Sequence, residues 1–172
     1  MITIPFDVND YNTRSNFFDK VIIDCINDLP EDANSLWGKM TAQDMIEHLI
    51  WAFECSIGVI EVPCRTPENL LERAKRFLYD NRPTPQNFKN PLLGDDPLPH
   101  RYSTYSEAKG VLLNNIDAFN KYFIEHPKAV HTHPVFGPLG AEDWQRSQYK
   151  HCFHHFLQFG MINNSEIKSN GA

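Results

Sequence analysis

The chain has no apolar run near the roughly 18 residues that cross a bilayer, and its first residues, Met1 to Asp7, have neither the basic start nor the apolar stretch of a secretion signal. Those absences predict a cytoplasmic protein that does not enter membranes. Basic clusters are equally scarce: Arg73, Lys75 and Arg76 lie together on one helix candidate, and the formal net charge is −6. No nucleic-acid footprint is expected from such a balance. The four cysteines, Cys25, Cys55, Cys64 and Cys152, show no C-x-x-C spacing, which excludes a zinc knuckle and a disulfide framework and predicts four reduced thiols. There is no internal repeat, and no segment alternates apolar and polar residues convincingly enough to read as a strand.

What remains is ordinary globular composition over 172 residues, 41% hydrophobic and 22% charged, with twelve Phe and three Trp to fill a core. One domain over residues 1–162 is expected, followed by a frayed polar tail over 163–172. Apolar residues recur at helical spacing in five places, four of them long. The first runs from about Asn9 to Asn27 and stops at Leu29-Pro30. The second opens at Thr41, where Thr41-Ala-Gln-Asp44 has the form of a capping arrangement, and continues to Gly58. It is nearly all apolar, so it is expected at the centre, with His48 in its middle. A third, shorter pattern opens at Thr66-Pro67 and ends near Asp80, with Thr66 expected as the cap. The fourth runs from about Ser106 to His126 before Pro127. The last follows an acidic first turn at Glu142 and Asp143. Five prolines between Arg82 and His100 predict a long ordered loop, and the segment His126 to Gly140 predicts a second. The expected fold is all-α: an antiparallel helix bundle with an extra helix and long loops.

Chemistry enters with His151 and His155, one helical turn apart, where two imidazoles can aim at one point. They continue the stripe Trp144, Gln148, His151, His155, Gln158, spaced 4-3-4-3. That is the seam a helix turns toward a core, and here it is polar, so every amide and imidazole on it needs a partner. With eight histidines in the chain the spacing alone is a weak motif; the polar seam strengthens it. His48 is the obvious helper, because an imidazole on so apolar a helix needs either a hydrogen-bond partner or an ion. Three histidines from two helices would leave an ion with an open position, the pattern of catalytic rather than structural sites. His154 competes with His155 on helical spacing. His131 and His133 read as solvated loop residues, His100 and His126 carry little signal, and Glu47 and Glu54 near His48 are unassigned.

Leu36-Trp37-Gly38-Lys39-Met40-Thr41-Ala42 followed by Met45 and His48, and then His133-Pro134-x-Phe136-Gly137, Trp144, Tyr149-Lys150-His151, His154-His155 and Gln158-Phe159-Gly160, form an ordered series over most of the chain. The series resembles a branch of the DinB-like four-helix-bundle superfamily whose function is largely uncharacterised. The resemblance implies an up-down-down-up bundle with one divalent ion, zinc or nickel first among the candidates, held near one end by His48, His151 and His155. It also implies chemistry on a small molecule or a low-molecular-weight thiol, since characterised relatives include thiol-dependent S-transferases and isomerases, and it implies a homodimer. The chain departs from relatives that place aspartate or asparagine at a ligand position. The resulting expectation is a metal-dependent enzyme of the hydrolase or thiol S-transferase type; the alternative is a non-catalytic metal- or small-molecule-binding, stress-related bundle.

Overall fold

The computed structural model describes residues 1–86 and 98–164. The elements run β1 (Ile2–Ile4), α1 (Tyr11–Asn16), α2 (Ile22–Asp28), α3 (Ala42–Ser56), α4 (Glu68–Lys75), α5 (Tyr105–Glu125), β2 (His131–His133), β3 (Gly137–Leu139), α6 (Ala141–Gln158) and β4 (Ile162–Asn164). A π-helical stretch, Phe17–Val21, joins α1 to α2 without a break in helical backbone, so the first helical pattern is one continuous run. The fold is therefore mainly helical. The central part of the expected loop, 87–97, and the tail from 165 onward lie outside the described residues.

Local chemistry explains the boundaries. Thr41 and Asp44 form the reciprocal capping box that starts α3, and Gly58, at φ +75°, follows its end. Thr104 caps α5 by accepting from the Glu107 backbone N–H. The start of α4 differs from expectation: Pro67, extended at ψ 142°, occupies the cap position itself, so Thr66 lies one residue outside and no side chain caps this helix. After α4 the chain tightens into a 3-10 turn, Arg76–Tyr79.

Short strands correct the all-helical expectation. Strands β2 and β3 pair antiparallel, with His131 opposite Leu139 and His133 opposite Gly137, so the segment read as a loop is a hairpin. Strands β1 and β4 pair parallel, Ile2 with Ile162 through Ile4 with Asn164, so residues 163 and 164, assigned above to the tail, belong to the domain. Helix α3 packs most extensively on α5 and also meets α6 and β2. Its Met45, Ile46, Leu49, Ile50 and Phe53 are fully buried, and with Phe17, Phe153 and Phe156 they form one aromatic-rich core. Among the described residues, no helix is long and apolar enough to cross a membrane.

Candidate metal centre

Facing positions on α3 and α6 bring His48 and His151 together, Nε2 to Nε2 at 2.8 Å, and the next turn of α6 brings His155 Nε2 to 3.1 Å from His151 Nε2. One ligating nitrogen from each ring lies within 4.8 Å of the other two. These contacts cannot all be hydrogen bonds, because each Nε2 offers one in-plane site, either an N–H or a lone pair, and His151 faces two neighbours at once.

The tautomer of His155 sharpens the point. The Gln158 amide donates through Nε2 to the Trp37 carbonyl at 2.9 Å, and a carbonyl can only accept. Gln158 Oε1 is thereby turned to His155 Nδ1, 2.8 Å away, where it accepts that ring's proton. His155 Nε2 is left as a bare lone pair facing His151. A cation accepting three lone pairs resolves this crowding, and the donor set, three neutral imidazoles with one oriented by a partner amide, fits a divalent transition ion. The relay depends on a close backbone approach: Gly38 sits at φ +82°, and a Cβ there would lie 2.9 Å from Gln158 Nε2. The Leu36 N–H, bonded to the Gln158 carbonyl at 2.7 Å, pins the same turn to the end of α6.

Burial favours the neutral rings that ligation needs. His48 is pushed down to about 4, chiefly by desolvation and then by the charge of His154. Desolvation also holds His151 and His155 well below the ordinary imidazole value, with neighbouring histidines adding to it. His155 is buried, while His48 and His151 keep part of their surface toward a cavity of about 680 Å³.

The other candidates fall elsewhere. His154 turns Nδ1 to the Thr84 carbonyl at 3.2 Å and sets its ring edge against Trp37, so geometry separates it from the converging nitrogens. His131 bonds the Tyr122 hydroxyl at 2.8 Å, and His100 bonds Asp44 at 2.8 Å. His133 is not a solvated loop residue: it stacks on Phe136, packs beside Trp144 and lines the cavity. Glu47 and Glu54 act as anchors for Arg101, in the described segment that begins at residue 98. Glu47 accepts from the Arg101 backbone N–H at 2.6 Å, and Glu54 pairs with both terminal nitrogens of the Arg101 guanidinium at 2.6 and 3.1 Å. Buried Lys150 holds the chain at residues 80–82, donating to the carbonyls of Asp80 and Arg82 beneath the face of Phe77.

The role of Gln158 was within reach of the sequence, since it ends the polar seam three residues after His155. Its anchor on Trp37 lies 121 residues away and has no local signal. Comparison of the chain with family models, with curated proteins and with solved structures finds no match in any of the three.

Proposed function

We propose that the chain is a metal-dependent enzyme of the hydrolase or low-molecular-weight-thiol S-transferase type, built as a DinB-like antiparallel four-helix bundle with an extra helix. His48, His151 and His155 would hold one divalent ion, zinc or nickel, with a coordination position open to the cavity. The observation that carries this reading is the convergence of three Nε2 atoms with the His155 proton held on the opposite side of its ring. Four long helical runs, with ligands contributed by facing helices, support the bundle. When bound, the ion would supply Lewis acidity to a water or thiol at its open position. The chain's own part is to keep the three rings neutral and oriented, and to present an apolar wall that limits water. Four unpaired thiols, three of them buried, suit a reducing cytoplasm.

Within this reading, thiol transfer fits better than hydrolysis by a carboxylate base. Among the described residues, the two carboxylates lining the cavity are both engaged, Asp44 with Thr41 and His100, and Glu47 with Gln43 and Arg101. The same engagement favours, as a second reading, a non-catalytic metal- or small-molecule-binding bundle. A panel of esters and of low-molecular-weight thiols paired with a chloroaromatic electrophile separates them. The enzyme reading expects turnover that chelator removes, that one equivalent of zinc or nickel restores, and that His151→Ala lacks. Absence of turnover across the panel, with tight binding of a panel member, would establish the binding module instead.

A further inference from the structure

Besides the Trp37 indole N–H, two polar groups of the cavity wall have no protein partner among the described residues. Gln148 is 1% exposed, and its Nε2 donates to the Ala52 carbonyl at 2.8 Å. Flipping the amide would set two oxygens against each other, so Oε1 is the free end, and it has no donor among the described residues. A buried acceptor without a donor is rare enough in native proteins to call for a partner from outside the chain. The second group is His133. Its Nδ1 accepts the backbone N–H groups of Val135 at 3.0 Å and Phe136 at 3.2 Å, which fixes the ring proton on Nε2. That N–H has no partner among the described residues, and the ring lines the same cavity as Gln148.

Their order along α6 links them. The His133 ring packs on Trp144 at 5.1 Å between centroids; Gln148 is one turn beyond Trp144, and His151 follows one turn later. The charged groups near this wall are otherwise employed: Asp44 and Glu47 as above, and Lys150 on the carbonyls of Asp80 and Arg82. The flanking surface is apolar, with Phe77, Leu78, Val135 and Phe136 among the lining residues.

We propose that Gln148 Oε1 and His133 Nε2–H are the polar contacts of a subsite for a neutral, largely apolar ligand that carries a carbonyl acceptor beside an N–H or O–H donor, a primary carboxamide being the simplest case. The ligand's N–H donates to Gln148 and its carbonyl accepts from His133. The inference rests on reading this cavity as the functional site, and it does not need the ion, so its test uses the chelator-treated full-length chain and is decided separately from metal binding.

The probes are benzamide and acetophenone, which share the ring and the carbonyl and differ by an NH2 in place of a CH3. Dissociation constants of both, from chemical-shift titrations, are compared in the wild type and in Gln148→Met. Taking their ratio in each protein cancels the probes' own difference in hydration. The preference for benzamide is expected to fall about tenfold in the variant, the equivalent of one neutral hydrogen bond. In the wild type, the side-chain NH2 signal of Gln148 should shift with benzamide and barely move with acetophenone, a readout that does not depend on the variant folding. Equal ratios in the two proteins, or a Gln148 signal indifferent to benzamide, would overturn the proposal.

Discussion

Alanine in place of His151 is expected to leave the purified, dialysed protein without a stoichiometric divalent ion, because His151 Nε2 is the atom both other rings approach. His48→Ala and His155→Ala should lower affinity by at least about a hundredfold each, the upper end of what losing a partner of a ligand costs. Gln158→Met should cost about 10- to 100-fold, because it frees the His155 proton to move to the ligating nitrogen while leaving the ring in place. His131→Ala, His133→Ala and His154→Ala should retain the ion, since none of the three joins the converging nitrogens. Elemental analysis after dialysis, with competition titrations against a chelator, reads the whole series. Full retention in His155→Ala with loss in His154→Ala would make His154, and not His155, the third ligand.

The second large effect is acid destabilisation of the metal-free protein. Burial pushes His48 down to about 4 and His133 down to about 3, and His151, His154 and His155 are also lowered, chiefly by desolvation. In each case the folded pKa lies below the unfolded value of about 6.5, so below that pH the unfolded chain binds protons that the folded chain refuses. The contribution to stability is thus complete above about pH 6.5 and is lost as pH falls toward the folded values. A ring that stays neutral down to pH 4.5 gives up as much as about 2.7 kcal/mol over that interval. His48, His133 and His151 keep some contact with the cavity, which reduces their share, and a total of about 3 kcal/mol is a conservative expectation. For a chain of this size that is a fall in melting temperature of about 10 °C between pH 7 and 4.5. Melting curves on chelator-treated protein check it; a midpoint that holds steady down to pH 5 would mean that the rings are open to protons in the folded state.

Much of this was legible in local spacing. The 4-3-4-3 stripe on α6 identified which histidines face inward, and the apolar surroundings of His48 marked it as needing a partner; both readings use only the helical repeat. Thr41 and Asp44 announced the start of α3 for the same reason, since a capping box lies within four residues. What spacing could not show was non-local or too short. Strands β2 and β3 have three residues each, below the length at which alternation can be seen, so His133 read as a solvated loop histidine when it forms part of the cavity wall. The pairing of β1 with β4 joins the two ends of the domain and leaves no mark in either segment. Glu47 and Glu54 were indistinguishable from surface glutamates until Arg101, some fifty residues away, was placed on them. Helical periodicity gives the direction of a side chain; the partner that fixes its proton comes from the fold.

X-ray absorption at the metal edge of the zinc-loaded protein tests the central claim most directly. Three imidazole nitrogens at about 2.0–2.1 Å are expected, with the remaining scattering at bonding distance from light atoms. A shell of sulfur at about 2.3 Å, which would bring in Cys55 from the cavity wall, or a fit that accepts fewer than three imidazoles, would contradict it.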